Sequence, residues 1–357
     1  MRYRCAHRWA FSNWGQALQL REDKLPAPQG REVHVRVTHC GMCHSDLHIQ
    51  AGGFDLGGGK LSSLERSAGV NLPVTLGHEI SGEVLELGPD AQGLTLGQRV
   101  VVYPWIGCGS CPTCQRGDDH LCVRGARNLG LQQPGGFASR VCVPHDRYVV
   151  PIGDLDPARA ATYACAGITA FSAMRKLGAM QADDHVAIIG CGGVGMTALA
   201  LYATMTTARI VAIDPDPAKR EAALALGAAL AFDPNAADAP RAIAKACKHN
   251  VAAVVDFVGS ESTSTLAVGL VRRAGQVVIV GLFGGEFKLP LPMFALRSLR
   301  ITGSYVGSLP DLRELVALAQ RTPLPNTPLA LRPLSQVNQA LQDLAQGRAA
   351  GRLVMQP

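Results

Sequence analysis

Residues 185–214 narrow most sharply what this chain can fold into. His185-Val186-Ala187-Ile188-Ile189 is an apolar run of strand length. It enters Gly190-Cys191-Gly192-Gly193-Val194-Gly195, and Met196-Thr197-Ala198-Leu199-Ala200-Leu201 then reads as helix. A second strand, Arg209-Ile210-Val211-Ala212-Ile213, ends at Asp214, nineteen residues past Gly195. Strand, G-x-G-x-x-G, helix, strand and terminal acid make up the dinucleotide fingerprint of a βαβ unit. The glycines keep the turn tight and let a pyrophosphate approach the backbone and the helix N-terminus, where unpaired N–H groups favour an anion. Asp214 would accept hydrogen bonds from the adenosine ribose hydroxyls and repel a 2′-phosphate. Pro215-Asp216-Pro217 offers no arginine to neutralise one, so NAD is expected over NADP.

Two further βα units follow, at Val251-Ala252-Ala253-Val254-Val255-Asp256 and Gln276-Val277-Val278-Ile279-Val280-Gly281. Such alternation predicts a doubly wound parallel sheet with helices on both faces. Leu312 to Gln320 and Val337 to Gln346 read as amphipathic helices. Before residue 165 the texture differs. Val33 to Val37, Ser81 to Leu87 and Arg99 to Tyr103 read as short strands with Gly/Pro punctuation, which predicts an irregular, mainly β domain. The glycine-rich stretch 50–71 reads as a flexible loop bordering an active site or a subunit contact. A length of 357 residues accommodates one very large domain or two ordinary ones.

Cys43-His44-Ser45-Asp46-Leu47-His48 and, about thirty residues on, Gly77-His78-Glu79 bring together thiol, imidazole, hydroxyl and carboxylate. That mixture suits a zinc ion held by sulfur and nitrogen with one position open to substrate. The alternative is a buried thiol among surface histidines. Cys108, Cys111, Cys114 and Cys122 form a C-x2-C-x2-C-x7-C set, which can wrap a closed tetrahedral zinc. An iron–sulfur run would have three residues in the last interval and a proline after it. Here the interval is seven and Val123 follows, so zinc is preferred.

Composition excludes other classes. Hydrophobic residues are 47% and charged ones 17%, a globular balance. The net charge of +6 is scattered rather than gathered into a stripe, and aromatics are only 5%, so no nucleic-acid partner is expected. No apolar run is long enough to cross a bilayer. Met1-Arg2-Tyr3-Arg4-Cys5 leads into no signal-peptide core, and a cytoplasmic location is expected. Eleven cysteines, an odd number with four inside residues 108–122, fit reduced thiols and metal better than a disulfide framework.

In this order, Cys-His-Ser-Asp-x-x-His, Gly-His-Glu, the four-cysteine lobe, Cys165-Ala166-Gly167 and the glycine fingerprint resemble the zinc-dependent medium-chain alcohol dehydrogenases, especially tetrameric bacterial and archaeal ones. The resemblance spans nearly the whole chain. It implies a GroES-like catalytic domain at 1–164 and 306–357 flanking a Rossmann domain at 165–305. It also implies a catalytic zinc on Cys43, His78 and Cys165, with Glu79 entering its coordination transiently and Asp46 orienting His78, and a structural zinc on the four cysteines. Ser45 and His48 are similar to the family's proton relay. His44, Val280, Leu282 and Arg352 match positions along the cofactor, with His44 and Arg352 at the pyrophosphate. Trp105 and Leu282 match positions in the substrate pocket. Cys40, which forms a local C-x2-C with Cys43, is not expected as a ligand. Cys5, Cys142 and Cys247 are expected as small core residues, and Cys191 fills a variable position.

The function so implied is NAD-dependent interconversion of primary or secondary alcohols with aldehydes or ketones. A zinc-bound alkoxide would pass a hydride to the nicotinamide, with two zinc ions per chain. The resemblance further implies a homotetramer, with a dimer as the alternative. A polyol dehydrogenase is the nearest rival, opposed by apolar Trp105 and Leu282. A zinc-free quinone or enoyl reductase would lack the cysteine and histidine sets. A non-catalytic zinc- and NAD-binding sensor would not need Ser45 and His48.

Overall fold

The computed structural model describes residues 4–349 and 351–357. Up to residue 151 the regular structure is mainly strand: β1 (Arg4–Phe11), β2 (Gln19–Leu25), β3 (Val33–Gly41), β4 (Gly53–Asp55), β5 (Leu61–Ser63), β6 (Val74–Thr75), β7 (Glu79–Leu87), β8 (Arg99–Val102), β9 (Arg140–Val143) and β10 (Val149–Pro151). Six strands of parallel sheet follow: β11 (His185–Ile189), β12 (Arg209–Ile213), β13 (Leu230–Phe232), β14 (Val251–Asp256), β15 (Gln276–Ile279) and β16 (Arg300–Gly303). The chain then returns to the first part with β17 (Leu329–Pro333) and β18 (Arg352–Gln356).

The mixed sheet runs β10-β8-β7-β3-β18-β17, with β9 also on β3. Val33, Val35 and Val37 of β3 are buried while Arg36 is exposed, the alternation expected of a strand with one wet face. His34 departs from it and is buried too. The register of β3 slips between Val37 and His39, an irregularity that bends a strand and re-aims the residues beyond it. That end of β3 carries Cys43. β18 joins β3 through Val354 opposite Gly41, so the last residues of the chain are built into the first sheet.

The parallel sheet runs β13-β12-β11-β14-β15-β16. Every residue of β11 and of β14 is buried, as strands covered on both faces require. The connections diverge between β11 and β14, so the crevice at their carboxyl ends is the switch point where such sheets bind ligands.

Several expectations are corrected. The stretch 50–71 is ordered structure: β4 pairs with β5, and helix Leu64–Ala68 follows. Its glycines are turn chemistry, with Gly52 and Gly69 ending helices in the left-handed region and Gly57, Gly58 and Gly59 turning the hairpin. Glycine takes positive φ without steric cost, so a glycine-rich string signals turns as readily as flexibility. The β1–β2 hairpin had no sequence signal, because Gln19-Leu20-Arg21-Glu22-Asp23-Lys24-Leu25 is polar and largely exposed. Cys142 is half-buried on β9, whereas Cys247 is fully buried. The side chain of Cys5 lies outside the described residues.

Candidate active site

The register that sets Gly41 opposite Glu79 brings the end of β3 beside the start of β7, and with it Cys43 beside His78. One carboxylate fixes both loops. Asp46, fully buried, accepts from the Cys43 amide at 2.8 Å and from the Gly77 amide at 3.1 Å, and it lies 3.3 Å from His78 Nδ1. Cys165 comes from a π-helical turn, Tyr163–Gly167, a geometry that inserts a residue into the helical ladder and is frequent at functional sites.

The ligand atoms of Cys43, His78 and Cys165 all lie within 4.8 Å of one another, and all three residues are buried. His78 Nε2, also buried, has no hydrogen-bond partner in the protein, while Nδ1 faces Asp46. Two thiols and one orphaned imidazole nitrogen, the imidazole oriented by a carboxylate, fit zinc, whose histidine ligands are oriented this way. Donors of a tetrahedral zinc with 2.3 Å bonds stand about 3.8 Å apart. The hydrogen bond from Cys165 holds the Cys43 thiol well below the ordinary range against the effect of burial, and the Arg352 charge helps. The same hydrogen bond and burial push Cys165 up. Burial disfavours charge on His78, but Asp46 outweighs it and raises the imidazole to about 10. A divalent cation would invert this balance by deprotonating its thiol ligands outright. Cys40 stands apart, its thiol turned to the Gly41 carbonyl at 3.7 Å.

Glu79 is not among the three donors that lie within 4.8 Å of one another. Its fully buried carboxylate pairs with Arg352 and accepts from the Ala166 amide at 3.1 Å. Arg352 Nε reaches Glu79 Oε2 at 3.1 Å. A carboxylate buried this deeply requires a charge partner, and the cation of β18 supplies it. Gly41 makes the room, since a Cβ there would stand 1.9 Å from Glu79 Oε2. The same arginine borders the glycine loop, where a Cβ on Gly193 would come within 2.9 Å of Arg352 Nη1.

The four-cysteine lobe closes as its spacing predicts. Sγ–Sγ separations are 3.4 Å for Cys111–Cys114, 3.9 Å for Cys111–Cys122 and 4.0 Å for Cys108–Cys114, close to the edge of a sulfur tetrahedron around zinc. Backbone amides of Cys108, Cys111 and Cys114 donate to Sγ of Cys122, Cys108 and Cys111 at 3.3–3.5 Å. The Ser110 backbone and hydroxyl lower the Cys108 thiol to about 5.

A cleft of about 1560 Å³ joins the two halves of the site. At one end stand Cys43, Ser45, His48, His78, Trp105 and Cys165; at the other, Gly190, Gly192, Gly193, Val194, Gly195 and Asp214, with His44, Val280, Leu282 and Arg352 also on the wall. Gly195 must be glycine, because a Cβ would lie 1.9 Å from the Gly190 carbonyl oxygen. A Cβ on Gly192 would meet no protein atom within 4 Å, so only the space of the cleft demands glycine there, as a cradle for pyrophosphate would. Asp214 accepts from the amides of Cys191 at 2.8 Å and Asp216 at 2.9 Å, which ties it to the glycine loop besides presenting it to the cleft. An arginine does stand near Asp214: Arg220 donates to the carbonyls of Asp214 and Pro215, both at 2.8 Å, and lies 3.7 Å from Asp233. Its guanidinium is committed to these partners.

Ser45 Oγ is 3.7 Å from Cys43 Sγ. The His48 ring packs on Phe54 at 5.2 Å and the His44 ring on Phe283 at 5.8 Å. Burial lowers both histidines below their ordinary range, with the Cys43 charge acting against it. Trp105 lies on His78 at 5.4 Å and donates from Nε1 to the Ala164 carbonyl at 3.2 Å. Phe54, Phe283, His120 and Tyr305 also line the cleft and were missed in the sequence. Apart from a ring in the glycine-rich stretch, no local pattern marks them.

Fold and site together define a two-domain protein that sets a cysteine–histidine metal cluster against a dinucleotide cradle. Residues 29–154 match the family model described as alcohol dehydrogenase GroES-like domain, and residues 193–321 that described as zinc-binding dehydrogenase. An NAD-dependent alcohol dehydrogenase of Sulfurisphaera tokodaii is 33% identical, over 96% of this chain and 97% of that one. An alcohol dehydrogenase of Geobacillus stearothermophilus is 34% identical, over 95% and 96%. The crystal structure of the alcohol dehydrogenase of the hyperthermophilic archaeon Aeropyrum pernix is similar with a TM-score of 0.89 and 30% identity, covering 98% of this chain and all of that one. The chain belongs to the zinc-binding alcohol dehydrogenase family.

Proposed function

We propose that this protein is an NAD-dependent, zinc-dependent alcohol dehydrogenase that interconverts primary or secondary alcohols with aldehydes or ketones. The observation that carries the reading is the Cys43–His78–Cys165 cluster, with its orphaned His78 Nε2, on the wall of the cleft that also holds the glycine cradle. Zinc held there would act as a Lewis acid on the substrate oxygen and lower its pKa. Asp46 holds the His78 tautomer. Ser45 and His48 carry the released proton outward, a task that suits an imidazole kept neutral by burial. Asp214 accepts from the adenosine ribose, while Gly192, Gly193, His44 and Arg352 receive the pyrophosphate. Val280 and Leu282 line the nicotinamide side, and Trp105 walls the substrate.

Glu79, as it stands, serves to place Arg352; entry into the metal sphere would require the Arg352 pair to open. The division into a catalytic domain at 1–164 and 306–357 and a dinucleotide domain at 165–305 belongs to the same proposal, supported by the separate mixed and parallel sheets. So does a homotetramer, for which β16 is an outer strand of the parallel sheet among the described residues, and Leu291 and Leu296, on the helix that precedes it in sequence, are 81% and 70% exposed. Unpaired edges and exposed apolar side chains invite association. A cytoplasmic location is supported by the free thiols of the described cysteines. No helix among the described residues is long and apolar enough to cross a membrane.

The test is NADH formation over a panel of aliphatic, aromatic, secondary and polyhydroxy alcohols, with wild type beside Cys43→Ala. Turnover of simple alcohols that vanishes in the variant supports the reading. A protein with two zincs and bound NAD that oxidises none of them refutes it.

A further inference from the structure

The chain leaves the parallel sheet through Gly303-Ser304-Tyr305-Val306-Gly307-Ser308, and one residue of this crossover is strained. Val306 has φ of 39°, a left-handed value at which a β-branched side chain crowds its own backbone. Such a conformation persists only where the surroundings over-determine it, and residues of this kind concentrate at functional sites. Here the surroundings are explicit. The Ser304 amide donates to the Ile279 carbonyl at 2.9 Å, and Ser304 Oγ accepts from Lys176 Nζ at 2.9 Å. Beyond Val306, the Gly307 carbonyl accepts from Tyr103 Oη at 2.8 Å. Ser304 and Val306 are each 7% exposed, but Tyr305 between them is 43% exposed and lines the cleft. Clamping on both sides of a reversed φ turns the ring out of either core.

The Tyr305 ring meets Trp105 at 5.8 Å with 67° between planes and stacks on His120 at 6.5 Å and 25°. Trp105 in turn rests on the ligand His78. Two ring planes near a right angle thus form a corner beside the metal ligands. His120 belongs to the four-cysteine lobe, and its neighbour Asp119 is anchored by Tyr148 Oη at 2.8 Å and Arg147 Nη2 at 2.6 Å.

We propose that Tyr305 is a specificity-determining residue that, with Trp105, selects flat aryl alcohols and carbonyl compounds over branched aliphatic ones, with His120 as the positioning residue behind its ring. The proposal rests on the dehydrogenase reading above. A planar ring laid against the 43% exposed Tyr305 ring meets a preferred aromatic geometry, with the small exposed part of Trp105 (6%) beside it, whereas a branched alkyl group gains only buried area. An aromatic pair contributes roughly two- to thirteenfold beyond area.

The experiment compares kcat/KM for benzyl alcohol and for isobutanol in the zinc-loaded, NAD-saturated enzyme and in Tyr305→Leu, Tyr305→Phe and His120→Ala. Tyr305→Leu should lower the benzyl-to-isobutanol ratio by roughly two- to thirteenfold. Tyr305→Phe should keep the ratio, and His120→Ala should lower it less. A ratio unchanged in Tyr305→Leu overturns the proposal. Should Tyr305→Leu fold poorly, Tyr305→Ile removes the ring in the same way and should lower the ratio in a folded enzyme; an unchanged ratio there overturns the proposal in turn. Benzamide binding, titrated by tryptophan fluorescence, needs no turnover. If wild type oxidises no alcohol, the dehydrogenase reading falls, and equal benzamide affinity in wild type and Tyr305→Leu overturns the aromatic corner by itself.

Discussion

Asp46→Asn isolates the role of the carboxylate that joins the two halves of the metal cluster. In the wild type, Oδ2 accepts from the Cys43 amide at 2.8 Å, and Oδ1 serves both the Gly77 amide at 3.1 Å and His78 Nδ1 at 3.3 Å. All three partners are donors, and an amide offers only one accepting atom. If the asparagine oxygen faces Gly77 and His78, the Cys43 amide is orphaned; if it turns to Cys43, the other two are. At least one donor is left unsatisfied in a fully buried place, at about 1–3 kcal/mol. For a domain of this size that is roughly 2–12 °C in Tm. Loss of a carboxylate behind a metal-binding histidine also weakens metal affinity by roughly 10- to 100-fold, or about 1.4–2.8 kcal/mol. The assay is competition for zinc against a chromophoric chelator, with thermal unfolding measured on the same preparations. The expected result is weakened binding of one of two zincs, with the other unchanged. Zinc affinity within twofold of wild type at both sites, with an unshifted Tm, would refute the positioning role.

Cys111→Ser should reduce bound zinc from two to one per chain and lower Tm while the Cys43 site keeps its metal; metal analysis and calorimetry check both. Gly195→Ala drives a Cβ to 1.9 Å from the Gly190 carbonyl; isothermal titration should show NAD binding lost while two zincs remain. For pH, His48 is lowered below the ordinary value of 6.5 by burial, so it is neutral at pH 7 and free to take a proton. Alcohol oxidation should hold as pH falls to that value and decline only below it, and His48→Gln should lower the rate while flattening this limb. The sign for stability is the same: with the folded-state value depressed, protonation below 6.5 favours the unfolded chain, so the His48 contribution costs stability on the acid side. A Tm that rises for wild type relative to His48→Gln between pH 6.5 and 5 would contradict it.

What the sequence by itself determined is what covalent geometry transmits over short distances. The strand–glycine–helix–strand run could carry its signal because each glycine acts on neighbours a few residues away, and the four thiols converge because intervals of two and seven residues leave the chain little else to do. Cys43 and Asp46 share one turn, and His78 and Glu79 enter one strand together. Family resemblance, not spacing, pointed to Cys165, and the structure seats its thiol within 4.8 Å of the donor atoms of Cys43 and His78. What only the tertiary structure decided are the pairings across long loops. Glu79 meets Arg352, 273 residues away, a pairing set by the need of a buried charge for a partner. Tyr305 meets Trp105 and His120 because the four-cysteine lobe and the strained crossover at Val306 come together across the cleft. The glycine-rich 50–71 stretch became a hairpin wall because Leu64 is buried beneath it and Phe54 packs against the same core. Such contacts are selected by burial summed over the whole core, a quantity that no short window of residues contains.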